Sequence, residues 1–280
     1  MKTLLVTGAN RGLGLEFARQ YAADGWTVFA ACRAPGKAGE LLQLSATSEG
    51  RIRVLPLDVT DDASVRAAAR ALGGEPIDLL INNAGVGSPR GETLGSLDYA
   101  AWQRVLDTNS LGPMRVTEAF LENVMRGGAK QIVTITSGMG SIADNSSGGS
   151  YAYRSSKAAV NMVVKSLALD LAPRGITCIV MNPGWVRTDM GGAGGSLSPQ
   201  DSIAAMRKVI AGLSPDDSGS SSTTTARPIP GNAPDWQIQE TRVIRFVSSA
   251  LHQTPAIEDL VSGSLTPGEA GAGASQRGPP

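Results

Sequence analysis

The chain has 280 residues, with 25 Lys+Arg against 25 Asp+Glu and 41% hydrophobic residues. That hydrophobic share excludes wholesale disorder, and the zero net charge removes the electrostatic footprint of a nucleic-acid binder. Two cysteines, Cys32 and Cys178, and one histidine, His252, exclude a disulfide scaffold, a cysteine-based zinc site and a histidine metal cluster.

Leu4-Leu5-Val6 reads as a buried strand, followed by Val28-Phe29-Ala30-Ala31, Arg53-Val54-Leu55, Leu79-Leu80-Ile81, Ile132-Val133-Thr134-Ile135 and Thr177-Cys178-Ile179-Val180. Apolar runs without polar alternation predict strands covered on both faces. Helical patterns lie between them, at about 12–24, 61–72, 98–125 and 151–172. Alternating strands and helices predict an α/β fold: a Rossmann-type doubly wound parallel sheet, a three-layer sandwich, in one domain over 1–214. No apolar run reaches the roughly 18 residues that span a membrane. Met1 to Thr7 is too short an apolar start for a signal peptide. A soluble, cytoplasmic protein that binds neither nucleic acid nor membrane is expected.

Glycine is in excess, with 34 residues where a share of about 7% is usual. Some of the excess falls in Thr7-Gly8-Ala9-Asn10-Arg11-Gly12-Leu13-Gly14, which leaves the first strand and opens a helix. Gly8 allows a tight turn, Gly12 a close approach of backbone to phosphate, and Gly14 close packing of helix on strand. The helix start then offers free N–H groups and a positive dipole end to a pyrophosphate. The end of the second strand, Ala30-Ala31-Cys32-Arg33, holds no acid to bind a ribose 2′-hydroxyl. Arg33 and Arg11 suit a 2′-phosphate instead, so NADP is favoured and NAD stays open. A solvated loop arginine is the plainer reading of Arg33. Asp58, before Val59, faces either an adenine amino group or a helix start near Thr60. Asn82-Asn83-Ala84-Gly85 ends the fourth strand with small and amide residues that suit a cofactor cleft, or a simple turn.

Tyr153 and Lys157 are four residues apart, so a helix places them on one face. A neighbouring ammonium favours the phenolate and predicts a lowered tyrosine pKa. Tyr151 has no such partner. Ser137 ends the fifth strand at the carboxyl edge of the sheet, where α/β ligands bind. Asn109, within the long helix, is either a support for a proton-relay water or a partly buried helix amide.

Thr7-Gly8 with Gly12 and Gly14, Asn82-Asn83-Ala84-Gly85, Asn109, Ser137, Tyr153 with Lys157, and Asn182-Pro183-Gly184 together resemble the short-chain dehydrogenase/reductase family. The resemblance covers about 1–214. Phrases such as Gly184-Trp185-Val186-Arg187-Thr188-Asp189-Met190 are similar to its C-factor branch. It implies a nicotinamide cofactor and an Asn109-Ser137-Tyr153-Lys157 tetrad that transfers hydride between the cofactor and a carbonyl or secondary alcohol of a small molecule. By the same resemblance, Gly8, Asn10, Arg11, Gly12, Leu13, Gly14, Arg33, Asp58, Val59, Asn83, Ala84, Gly85, Pro183, Gly184, Val186 and Thr188 hold the cofactor with Tyr153 and Lys157. Homodimers or homotetramers are implied too. A non-catalytic or signalling protein on the same scaffold is the alternative. Ser137 and Tyr153 are 16 residues apart, a wider gap than the family's usual one, which makes Ser141 a rival for the serine role.

The resemblance breaks after Leu213. A seventh strand is expected there and none is readable. Ser221-Ser222-Thr223-Thr224-Thr225-Ala226 is what codons for an aromatic-rich Phe-Phe-Asn-Tyr-Asp-Gly stretch give when read one nucleotide later. Residues 215–280 therefore read as a disordered low-complexity tail, or 220–280 as an out-of-frame stretch, with one helical stripe at 240–252. The glycine-rich segment 188–200 reads as a mobile substrate loop.

Overall fold

The computed structural model describes residues 1–89 and 91–223. Its strands are β1 (Thr3–Thr7), β2 (Thr27–Cys32), β3 (Ile52–Pro56), β4 (Leu79–Asn82), β5 (Gln131–Ile135), β6 (Thr177–Asn182) and β7 (Ser221–Thr223). They form one sheet in the order β3-β2-β1-β4-β5-β6-β7. Every neighbouring pair is parallel. The order reverses between β1 and β4, so the loops at their carboxyl ends part there and leave a crevice.

The helices are α1 (Gly12–Ala23), α2 (Gly39–Ala46), α3 (Asp62–Leu72), α4 (Tyr99–Leu106), α5 (Gly112–Arg126), α6 (Tyr151–Leu171) and α7 (Pro199–Ala211). Alternate strand residues point to opposite faces. Leu4, Val6, Ile81, Val133 and Ile179 pack with Phe17 and Tyr21 of α1 and Ile203, Met206 and Ile210 of α7. Leu5, Leu80, Ile132 and Cys178 pack with Val65 of α3, Phe120 of α5 and Val164 of α6. The three-layer α/β architecture is the expected one, and both faces of the sheet are covered, as its uninterrupted apolar strands require. Phe17 and Phe120 are fully buried; truncating such a residue to Ala costs about 3–5 kcal/mol. At the amino edge, the buried Asp78 carboxylate accepts N–H bonds from Thr3 (2.8 Å), Gly128 (2.8 Å) and Ala129 (3.2 Å).

Four expectations are corrected. The seventh strand is present. Cys178 N–H donates to Ser218 Oγ (3.1 Å), Gly219 N–H to Cys178 O (2.7 Å) and Val180 N–H to Ser220 O (3.2 Å). Main-chain pairing with β6 forms β7, and its Ser-Ser-Thr sequence carries no apolar signal. The folded unit thus runs past 214 to at least Thr223. Residues 224–280, including the 240–252 stripe and most of the out-of-frame stretch, lie outside the described residues.

The helix expected over 98–125 is interrupted by a π-turn at Asp107–Leu111. Helix α7 occupies a segment with no predicted element. Its start carries Ser198, whose side chain accepts the Asp201 N–H, and Pro199 in the first turn. In the 188–200 segment Trp185 Nε1–H donates to Gly191 O (2.8 Å), and Val186 bridges to Leu197. A Cβ on Gly191 would lie 2.0 Å from Val186 O, and one on Gly195 2.5 Å from Arg187 N. Those glycines permit close packing of backbone on backbone.

Candidate active site

The crevice begins where β1 and β4 end. Thr7 Oγ1 accepts the N–H groups of Asn83 (3.0 Å) and Ala84 (3.1 Å), and Asn83 Nδ2 donates to Thr7 O (2.8 Å). Gly8 has φ +67°, and a Cβ there would lie 2.9 Å from Ala84 Cα. A Cβ on Gly14 would lie 2.2 Å from Gly8 O. At Gly12, φ +55°, a Cβ would meet only the Thr188 side chain, with Cγ2 at 3.6 Å. The residue that caps α1, Arg11, is extended and gives no side-chain cap. The first-turn N–H groups of α1 are therefore left for a ligand.

These groups border a cavity of about 590 Å³. It is lined by Gly8, Asn10, Arg11, Gly12, Leu13, Gly14, Arg33, Asp58, Val59, Asn83, Ala84, Gly85, Tyr153, Lys157 and Thr188. Pro183, Gly184 and Val186 are not among the lining residues. Val186 is buried, Pro183 O accepts the Ser202 hydroxyl (2.7 Å), and Gly184 N–H donates to Asn182 Oδ1 (3.2 Å). Sequence reasoning missed Lys37, Thr108, Arg187 and Met190, which also line the cavity. A second cation four residues after Arg33 was the readable signal for Lys37.

The donor set fits an extended dinucleotide: a helix start without a side-chain cap, a glycine at positive φ, and the cations Arg11, Arg33 and Lys37 among the lining residues. Arg11 Nη1 lies 2.7 Å from Asp189 Oδ2, and Arg33 Nε lies 3.9 Å from Asp58 Oδ2. Both arginines are about three-quarters exposed, so each pair contributes at most about 1 kcal/mol and yields readily to a phosphate. Asp58 does not cap α3; that residue is Asp61, whose side chain accepts the Ala63 N–H. Asp58 Oδ1 instead accepts from Thr60 N–H (3.0 Å) and Thr60 Oγ1–H (2.7 Å).

On the same cavity α6 brings Tyr153 and Lys157 together. The Ser137 side chain is the polar neighbour that acts on the Tyr153 phenol. Burial raises that phenol above the ordinary value, against the opposing effect of Ser137. Lys157 Nζ donates to Ile135 O (2.8 Å) and sits 5.6 Å from the centre of the Tyr153 ring. Burial lowers the Lys157 ammonium to about 8. The ammonium lies over the ring, and burial is the largest influence on both groups.

The rivals point elsewhere. Ser141 Oγ accepts the Asp144 N–H (3.3 Å), and Tyr151 packs on Trp102 with ring centres 6.2 Å apart. Asn109 is buried in the π-turn. Its Oδ1 accepts the Val86 N–H (2.8 Å), and its Nδ2 donates to Val86 O (2.8 Å) and Ser156 Oγ (3.0 Å). The amide thereby clamps the start of the 86–97 segment to α6. Among the described residues no cluster of His, Cys, Asp and Glu could hold a metal ion, and no helix is long and apolar enough to cross a membrane.

Comparison with known proteins gives a family model, short chain dehydrogenase, that matches residues 2–196. The C-signal protein of Myxococcus xanthus is 48% identical over 155 residues, covering 55% of this chain and 93% of that protein. The 1-hydroxy-2-glutathionyl-2-methyl-3-butene dehydrogenase of Rhodococcus sp. (strain AD45) is 37% identical over 225 residues, covering 78% of this chain and 95% of that enzyme. The crystal structure of NADPH-bound carbonyl reductase from chicken fatty liver superposes with a TM-score of 0.74 at 36% identity, covering 80% of this chain and 96% of that one.

Proposed function

The chain belongs to the short chain dehydrogenase family, and from that premise we propose that it is an NADP-dependent oxidoreductase interconverting a small-molecule carbonyl compound and its secondary alcohol. The observation that carries the reading is the Tyr153 phenol with Ser137 as its polar neighbour and the Lys157 ammonium over its ring, on a cavity that Arg11, Arg33 and Lys37 also line. The NADPH-bound chicken enzyme supports the choice of dinucleotide. A bound nicotinamide supplies or accepts the hydride at the substrate carbon.

Ser137 donates a hydrogen bond to the substrate oxygen and polarises the carbonyl. Tyr153 gives its phenolic proton to that oxygen in reduction and takes it back in oxidation. Its raised pKa keeps the phenol protonated at neutral pH, which suits the acid of the reductive direction. Lys157 fixes α6 against the end of β5 through Ile135 O, and its remaining donors would hold the ribose of a bound dinucleotide. Asn109 holds Val86 at the cavity wall. The reading includes a cytoplasmic homo-oligomer; light scattering measures the assembly.

The test is NADPH oxidation with a panel of aldehydes and ketones. Tyr153→Phe is expected to bind NADPH with unchanged affinity and to lose turnover by at least about a thousandfold, within the contribution of a general acid together with its positioning. Turnover retained in that variant refutes the reading. NADPH binding by the unaltered protein without turnover of any carbonyl would favour a signalling role on the same scaffold.

A further inference from the structure

The helix that carries Tyr153 starts without a cap of its own. Ser150, which precedes it, has φ +48° and makes no side-chain cap. First-turn N–H groups lack intrahelical acceptors, and two of them here are met from a distant segment. Glu92 Oε1 accepts the Ala152 N–H (2.9 Å), and Ser88 Oγ accepts the Tyr153 N–H itself (3.1 Å). A carboxylate at that end also complements the helix dipole. Glu92 Oε2 is buried without a protein partner, so the contact is kept despite a desolvation cost.

The carbonyl of Tyr153 is held through the same segment. Ser156 Oγ donates to Tyr153 O (2.8 Å) and accepts from Asn109 Nδ2 (3.0 Å), while Asn109 grips both main-chain groups of Val86. Both polar main-chain groups of Tyr153 are thus tied to 86–92. That segment continues directly from Asn83, Ala84 and Gly85 on the cavity wall.

We propose that Ser88 and Glu92 are positioning residues that cap the catalytic helix from outside it and set the place of the Tyr153 phenol over the substrate carbonyl. The inference rests on Tyr153 being the acid. A displacement of about 1 Å at a reacting group costs up to about a hundredfold in rate. Removing either acceptor is therefore expected to lower kcat about tenfold or more while leaving the NADPH dissociation constant within about twofold.

The experiment compares Ser88→Ala, Glu92→Ala and Glu92→Gln for kcat, KM, NADPH affinity and thermal midpoint, with Tyr153→Phe alongside. The expected result is a loss in kcat in both alanine variants at unaltered NADPH affinity, and recovery of most of it in Glu92→Gln, which keeps an acceptor oxygen. An unchanged kcat in the alanine variants overturns the proposal. So does a loss that Glu92→Gln fails to recover, or one matched by an equal loss of NADPH binding. If Glu92→Ala does not fold, the Ser88→Ala result decides by the same criteria. Full activity in Tyr153→Phe would instead overturn the acid assignment, a result separable from intact alanine variants beside an inactive Tyr153→Phe.

Discussion

Replacing Gly14 by alanine separates a packing glycine from a ligand-facing one. Its Cβ would lie 2.2 Å from Gly8 O, 2.6 Å from Asn83 Nδ2 and 2.8 Å from Gly8 C. Two of those atoms are backbone in the turn that leaves β1, so relief requires moving the turn itself. Overpacking of this kind costs about 3 kcal/mol, and the better helix propensity of alanine returns about 1 kcal/mol. A net loss of about 2 kcal/mol lowers Tm by about 4–8 °C in a domain of this size. Gly12→Ala should behave differently. The left-handed backbone costs about 1–2 kcal/mol, its Cβ meets only Thr188, and the effect falls mainly on dinucleotide affinity. Gly36→Ala, with nothing within 4 Å of the new Cβ, is the control. Thermal melts with and without NADPH read all three. A Gly14→Ala protein that melts with the Gly36→Ala control would refute the packing argument.

Burial lowers Lys157 to about 8 from 10.5. The unfolded chain therefore binds more protons than the folded one between those values, and the lysine's contribution to stability rises with pH across that window. Chemical denaturation at pH 7 to 10 should show the wild type gaining on Lys157→Met by on the order of 3 kcal/mol; a constant difference would contradict the burial. Arg33→Ala should weaken NADP binding by about 10–100-fold and leave NAD binding nearly unchanged, the worth of one charged hydrogen bond to the 2′-phosphate; equal losses for both dinucleotides would remove Arg33 from that site. Asp78→Ala leaves the buried Thr3 N–H and the part-buried N–H groups of Gly128 and Ala129 without their acceptor; urea denaturation should show a loss of about 2 kcal/mol or more, and a loss below about 1 kcal/mol would mean water replaces the carboxylate.

The central strands were legible because both faces of the sheet are covered, which leaves β1, β2 and β4 without exposed positions. The glycine-rich turn and the Tyr153–Lys157 pair were legible because their spacing is the geometry itself. Helix α7 was equally readable from Ser198-Pro199-Gln200-Asp201 and the stripe Ile203, Met206, Ile210; the loop reading of 188–200 covered its capping residues. Strand β7 was not readable, since pairing with β6 selects it and its own side chains do not. The upward shift of Tyr153 was hidden for a related reason. Spacing places an ammonium near a phenol, and only the packed surroundings decide whether charge or desolvation prevails. Ser88 and Glu92 carry no motif at all; they matter through a helix about sixty residues away in the chain.

The two rims of the sheet are unlike its middle. On one side β3 presents an exposed Arg53 and ends in Pro56, which has no N–H to offer a neighbour. On the other, β7 is three residues of serine and threonine. Each is a poor template for a strand from another molecule. Behind β7 stands β6, Thr177-Cys178-Ile179-Val180-Met181-Asn182, which is apolar and nearly all buried. Three polar residues thus shield the strand best able to recruit foreign chains. A chain cut before Ser218 should first betray itself as a protein that keeps its cofactor crevice yet precipitates, through an uncovered sheet margin.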